Sequence, residues 1–252
     1  MKKMTGKVVI VTGGGSGIGF GITTAYAKEG ADLVITGRTM SKLLEAKEEL
    51  EKDYGVKVLA VAADGGDEAA VKKAVEETVA KYGRIDVVIN NAQASKSGLM
   101  LADHTMDDFK LAINTGLYGT FNYMKFAFPY LKESVGSVIN FASGAGLAGR
   151  PGQSSYAASK EGIRGLSRVA ATEWGEFGIN VNVICPLAMT KALENWKVEY
   201  PELYERTIQG IPMGRMADPE TDIGRLCVFL TTDGKYITGE TITVQGGSGL
   251  RP

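Results

Sequence analysis

The amino-acid sequence predicts an α/β fold, a single domain built on a doubly wound parallel sheet of about seven strands with helices on both faces. Three observations predict it. Short β-branched runs alternate with longer helical stretches almost from end to end. Runs such as Val8-Val9-Ile10-Val11 and Val87-Val88-Ile89 are apolar without alternation, which marks strands covered by helices on both faces. The first of these runs ends in a glycine cluster that opens a helix, Thr12-Gly13-Gly14-Gly15-Ser16-Gly17-Ile18-Gly19.

Taken in order, the first strand occupies 7–12, and the glycine turn leads into a helix over 18–29. A second strand at 32–36 is followed by a helical pattern at 40–54, and a third at 56–62 by a helix over 68–82. The fourth strand, 87–90, precedes a long helix at 107–131; the fifth, 137–141, precedes another at 155–176. The sixth strand lies at 180–184, a helix at 219–230 and the seventh strand at 241–244. One region breaks the rhythm. Between 189 and 213 the chain carries Trp196, Tyr200 and Tyr204 with Pro201 and Pro212. Connections of that length carry function or are disordered, and the aromatic content argues against disorder. No linker or internal repeat divides the chain, so one domain covers 1–252, with 187–213 as its substrate-loop segment.

Composition excludes several classes. A chain of 252 residues buries a large core without disulfides or metals. The formal net charge of −1 offers no electrostatic case for nucleic acid or an anionic membrane surface. Cys185 and Cys227 sit in apolar runs without metal-ligand spacing, and His104 is the only histidine, so a His-based triad or multi-histidine metal site is excluded. No apolar signal segment precedes the first strand and no stretch is long enough to span a bilayer, so the expected location is the cytoplasm.

The glycine cluster follows a strand and opens a helix, the setting in which backbone N–H groups approach a pyrophosphate at a helix N-terminus. Gly13, Ser16, Gly17, Ile18 and Gly19 are therefore candidate cofactor residues of a Rossmann-type fold. A second constellation is Tyr156 and Lys160, four apart on a helix and so on one face. A lysine ammonium beside a phenol is expected to lower its pKa toward working pH and make it an acid/base. Ser143 lies just beyond the fifth strand, at the carboxyl edge where open sheets bind ligands, with a hydroxyl suited to orienting a substrate oxygen. At the end of the second strand, Gly37 supplies no acid for a ribose 2′-hydroxyl and Arg38 offers a guanidinium suited to a 2′-phosphate, which favours NADP. A solvated arginine near a helix start is the alternative.

The glycine motif, Asn90-Asn91-Ala92 after the fourth strand, and Ser143 followed by Tyr156 and Lys160 together resemble the short-chain dehydrogenase/reductase family over essentially the whole chain. The resemblance implies that Lys160 also holds the nicotinamide ribose and that Asn91 and Ala92 support the cofactor. It implies that Asp64, with Gly65, meets the adenine ring, that Pro186, Met189 and Thr190 contact the cofactor, and that the chain assembles as a homotetramer. Three departures stand out. Gln93 replaces the glycine that would close Asn-Asn-Ala-Gly, so its side chain is expected to face the substrate cleft. Leu187 replaces the glycine after Pro186, and Thr190 comes one residue early. The family's fourth catalytic residue, an asparagine in the long helix before the fifth strand, aligns with Gly116; Asn114, two residues away, falls on the opposite side of a helix.

Within the family, Asn90-Asn91-Ala92-Gln93-Ala94-Ser95, the runs 141–147, 156–174 and 185–190, Pro212-Met213-Gly214-Arg215 and Arg251-Pro252 resemble the bacterial 12α-hydroxysteroid dehydrogenases, which act on bile acids such as cholate and deoxycholate. That resemblance implies a bile-acid or steroid substrate, with Gln93, Ser143, Tyr156, Leu187, Leu193 and Trp196 as candidate contacts. Core packing of a surface helix is the alternative for the apolar ones. Two other readings stay open: a ketoreductase of the same family acting on another steroid position or a smaller carbonyl, and a non-enzymatic NADP-binding regulator.

Overall fold

A computed structural model describes residues 2–249 of the chain, the side chain of Ala192 excepted; Arg251 and Pro252 lie outside the described residues. Seven strands, β1 (Val8–Thr12), β2 (Asp32–Gly37), β3 (Val58–Ala62), β4 (Val87–Asn90), β5 (Ser137–Phe141), β6 (Asn180–Pro186) and β7 (Thr241–Val244), form one sheet. Its order is β3-β2-β1-β4-β5-β6-β7, and every pair is parallel. The chain winds outward from β1 in one direction and from β4 in the other, so the loops leaving these two strands part and open a crevice between them.

Alternate residues of the buried strands feed two cores, as the pleat requires. Val9 and Val11 of β1 face a core closed by α1 (Gly17–Lys28), α2 (Met40–Tyr54) and α10 (Arg225–Thr231), through Ile22, Leu43, Leu50 and Leu230. Val8 and Ile10 face the opposite core, closed by α3 (Glu68–Tyr82), α5 (Gly119–Ser134) and α7 (Ser154–Trp174), through Val71, Tyr123, Leu131 and Ala170. At the amino edge of the sheet, the buried Asp86 carboxylate accepts from the Val8 N–H and from Lys7 Nζ at 2.9 Å each, and from Arg84. These charge-assisted contacts fix the start of β4 against that of β1.

Two helices differ from the pattern expected of them. The long helix before β5 comprises α4 (Met106–Ala112), a π-helical stretch Ile113–Tyr118, and α5. The helix expected at 219–230 begins with a second π-helical stretch, Pro219–Gly224, and continues as α10. Periodicity over the apolar residues cannot separate these from an α-helix, because a π turn shifts the repeat only locally. Between them in sequence come α6 (Gly144–Ala148), and the irregular 189–213 region, which folds into two short helices, α8 (Lys191–Glu199) and α9 (Pro201–Gln209).

The second π stretch packs on α1 at backbone distance. A Cβ on Gly21 would meet the carbonyl carbon and Cβ of Pro219 at 2.5 Å and Glu220 N at 2.7 Å, and one on Gly224 would meet the Ala25 Cβ at 2.6 Å. Neither neighbour is the movable end of a side chain. Gly21→Ala should therefore destabilise by about 1–3 kcal/mol, the usual cost of overpacking. Gly175→Ala, where a Cβ meets nothing within 4 Å, should leave the thermal unfolding midpoint unchanged or higher. Equal midpoints for Gly21→Ala and the native chain would contradict the close contact.

Candidate active site

The crevice between β1 and β4 is tied together by Thr12 at the end of β1. Its hydroxyl oxygen accepts from the backbone N–H groups of Asn91 and Ala92 at 3.0 and 2.9 Å, and Asn91 Nδ2 donates to its carbonyl at 3.0 Å. Deeper in the sheet, Asn90 Nδ2 donates to Asn140 Oδ1 and Asn140 Nδ2 to Ser167 Oγ, both at 2.8 Å, so one buried polar chain runs from β4 through β5 to α7. Above Thr12 the glycine loop turns back on itself. Gly13 has φ +68°, a conformation that strains other residues, and a Cβ on Gly19 would fall 2.7 Å from the Gly13 carbonyl carbon.

A cavity of about 330 Å³ opens here. It brings together Gly13, Ser16, Arg38, Asp64, Gly65, Asn91, Ala92 and Gln93 of the residues named from sequence. Gly17, Ile18 and Gly19 form the first turn of α1 above it, and Ser16 caps that helix in extended geometry while its hydroxyl bonds no backbone N–H of the turn. Asp64 Oδ1 accepts from Gly66 N at 3.0 Å, which fixes the loop after β3. Thr39 and Lys42 also line the cavity and were not anticipated. Lys42 lies four residues beyond Arg38, at the start of α2; among the described residues neither cation has a carboxylate partner within ion-pair distance. Backbone close to open space, a helix N-terminus and two unpaired cations fit a dinucleotide carrying phosphate groups.

The second constellation sits at the carboxyl ends of β5 and β6. Ser143 caps α6, its Oγ accepting from Ala145 N at 3.1 Å, and it also hydrogen-bonds the Tyr156 hydroxyl. Lys160 is buried, and its Nζ donates to the Phe141 carbonyl oxygen at 2.7 Å, lying 5.5 Å from the centre of the Tyr156 ring. The three residues thus converge. The electrostatics, however, differ from the expected ones: Tyr156 lies above the ordinary phenol range, because burial outweighs the hydrogen bond from Ser143. Burial likewise brings the Lys160 ammonium down to about 7. With one N–H donating to a backbone carbonyl and its charge desolvated, Lys160 does not pull the phenol down.

Downstream, β6 continues two residues further than expected, to Pro186, where Leu187 N bonds the Val244 carbonyl at 2.9 Å. Met189 N and the Leu187 carbonyl bond Ala217 in the same way, so their backbones are engaged with the segment before α10. Thr190 caps α8 and its methyl lies 3.9 Å from where a Cβ on Gly17 would be, which brings it against the glycine loop. Leu187, Leu193 and Trp196 are half-buried, and the Trp196 ring packs edge-on against Tyr204 with centroids 6.1 Å apart.

Gln93 lines the cavity, both polar atoms of its carboxamide are buried, and the group reaches the space in front of Gly116. Gly116 is buried and faces α7, whereas Asn114 is exposed and packs on Gly66, 3.2 Å from where a Cβ there would sit.

Cleft and hydroxyl set together describe a class of protein, the nicotinamide-dependent oxidoreductases. The family model described as enoyl-(acyl carrier protein) reductase matches residues 4–249, and the chain belongs to the short-chain dehydrogenase/reductase family. It is 63% identical over 98% of both chains to a 12α-hydroxysteroid dehydrogenase from Clostridium sp.. It is 35% identical, over 97% of its length and 98% of the relative's, to a 3-oxoacyl-(acyl-carrier-protein) reductase from Thermotoga maritima. Among solved structures it resembles levodione reductase, with TM-score 0.91 and 32% identity over 97% of this chain and 98% of the other. NAD+-bound xylitol dehydrogenase also superposes, with TM-score 0.91 and 27% identity over 98% and 100% of the two chains.

Since Asn114 faces away from α7, Asn114→Ala should change turnover by no more than about twofold, the scale of an ordinary surface substitution. A hundredfold loss with the fold intact would show that the long helix presents a different face to the site.

Proposed function

We propose that the protein is an NADP-dependent 12α-hydroxysteroid dehydrogenase of the cytoplasm, interconverting the 12α-hydroxyl of bile acids such as cholate and deoxycholate with the 12-ketone. The near-full-length identity with the Clostridium enzyme carries this reading. The cofactor supplies the hydride chemistry; the protein holds and orients it. Gly13, Ser16, Gly17, Ile18 and Gly19 would hold its pyrophosphate, with Thr190 beside them, and Asp64, Gly65, Asn91 and Ala92 its adenosine half and the floor beneath it. Pro186 and Met189 would border the nicotinamide end. Gly37, Arg38 and Lys42 support NADP: the end of β2 places no acid against a 2′-phosphate, and two cations stand there to receive it.

In this mechanism Tyr156 carries the proton. Held above the ordinary phenol range, it is fully protonated at neutral pH and donates to the alkoxide that develops as a ketone is reduced. Ser143 Oγ, steadied by the Ala145 N–H, carries one hydroxyl proton, which acts on the phenol in the resting site and would turn to the substrate oxygen once that is bound. Lys160, with a pKa of about 7, is neutral above that pH, where alcohol oxidation must dispose of a proton, and charged below it, where reduction needs one. Leu187, Leu193 and Trp196 would form the apolar wall that a rigid steroid body requires. Assembly as a homotetramer is carried over from the family resemblance. Among the described residues no helix is long and apolar enough to cross a membrane.

The deciding experiment is NADPH formation with a pair of bile acids. Cholate and deoxycholate should be oxidised, while chenodeoxycholate, which lacks the 12-hydroxyl, should be inert. Tyr156→Phe should lower turnover on cholate about 100-fold or more while cofactor affinity stays close to native. Comparable activity on chenodeoxycholate would move the reading to another steroid position, and a Tyr156→Phe variant with a third of native turnover would remove the phenol from the chemistry.

Cofactor choice has a separate test. Arg38→Asp removes a charge-assisted contact and adds repulsion, so kcat/KM for NADP should fall about 100-fold while that for NAD changes little. A native enzyme that already prefers NAD would contradict the reading of Gly37, Arg38 and Lys42.

A further inference from the structure

The π-helical stretch between α4 and α5 presents its one buried residue without a side chain, Gly116, to α7. The space in front of it is filled. A Cβ on Gly116 would stand 2.7 Å from the Gln93 carboxamide carbon and 2.8 Å from its oxygen, and would collide with the Ser159 hydroxyl. Gln93 and Gly116 are thus complementary: one loop delivers a carboxamide into the volume that a side chain on the facing helix would occupy. One residue further along, Leu117 fits where Gly162 of α7 offers no Cβ, so the same stretch is seated on α7 at two neighbouring points.

The group placed there is costly to bury. Both polar atoms of the Gln93 carboxamide and the Ser159 Oγ are shielded from solvent, with no hydrogen-bond partner among the described residues. Apolar groups of the same shape would avoid that desolvation, which runs to about 1–3 kcal/mol for each unsatisfied group. Polar atoms kept at such a point, beside a π turn, mark a functional site more often than a packing accident. The residue after Ser159 is Lys160, whose Nζ is committed to the Phe141 carbonyl, so the Gln93 carboxamide and the turn that bears Lys160 border the same small volume in front of Gly116.

We propose that Gln93 is a positioning residue of this active site: its carboxamide, occupying the space left by Gly116, holds the α7 turn of Ser159 and Lys160 in its working arrangement. Its role rests on the reading of Tyr156 and Lys160 as the proton-handling pair. In this chain a carboxamide borne by the loop after β4 does what a polar side chain on the facing helix could do from the other side. The two positions are therefore exchangeable together and not singly.

Three variants test this, with native activity on cholate measured first. Gln93→Leu keeps the volume and removes the amide; it should unfold at or above the native midpoint. Its kcat should be about tenfold lower, about 1.4 kcal/mol of barrier, with KM for NADP unchanged. Gly116→Asn should lower both the midpoint and kcat, because the asparagine meets Gln93 and Ser159. The double variant Gln93→Gly/Gly116→Asn should recover the midpoint and return kcat to within about threefold of native, since it restores one carboxamide to the same space. Native kcat in Gln93→Leu, or a double variant no better than Gly116→Asn alone, would overturn the proposal. A native chain inactive on bile acids would instead count against the substrate reading, and recovery of the midpoint in the double variant would then decide the exchange by itself.

Discussion

The arrangement depends most on the short set of hydrogen bonds at Thr12. One hydroxyl and one carbonyl at the end of β1 receive three N–H groups from Asn91 and Ala92 just past β4, and so fix how far apart the two central strands stand where their loops diverge. The crevice at the switch point takes its floor from that distance. The glycine loop above it, the α1 N-terminus and the loop carrying Gln93 are all referred to the same anchor. The Asn90, Asn140 and Ser167 chain extends the reference across the sheet to α7, the helix bearing Tyr156 and Lys160. The cleft and the helix that bears Tyr156 and Lys160 are thus referred to one polar framework inside an otherwise apolar core.

Burial also governs the chemistry at the other end of that framework. It raises Tyr156 and lowers Lys160, the same cause acting with opposite sign on an acid that ionises negative and a base that ionises positive. In water a phenol and an alkyl amine lie close together in pKa. Here the order is spread so that the phenol keeps its proton while the amine exchanges its own near neutrality. Ser143 is the one neighbour acting against burial at Tyr156, which gives its hydroxyl an electrostatic task besides orientation.

Much of this was legible in the sequence, and the failures have physical reasons. Buried parallel strands announce themselves as unbroken β-branched runs, so all seven were found, with ends displaced by at most two residues. The helices α2 and α3 were read with their observed bounds, since charged and apolar positions alternate cleanly there. The π stretches were invisible because their wider turn is imposed by packing against α7 and α1. The helices at 191–199 and 201–209 were missed because each is a nine-residue segment, and α9 buries none of its side chains, leaving a weak apolar stripe to read. Lys42 escaped because only the fold turns the first turn of α2 toward the cavity. The Tyr156 and Lys160 pairing could be read from spacing, but the direction of their shifts depends on how deeply each is buried, which spacing does not contain. For Gln93 the residue type was noticed and the space that receives its carboxamide was not, since that space is made by a glycine 23 positions away.

Chain length gives the π stretch at Ile113–Tyr118 a different meaning. A π turn closes its hydrogen bonds one residue later than an α turn, so it takes up a surplus residue without rotating the helix that follows. The long helix accordingly contains one residue more than its path through the molecule uses. Shortening the chain by one within 113–118 would leave α4 and α5 in their places, joined as an ordinary helix with its seams intact, and would withdraw only the bulge at Gly116. For the fold that residue is redundant, a local allowance of chain at the point where the helix meets α7.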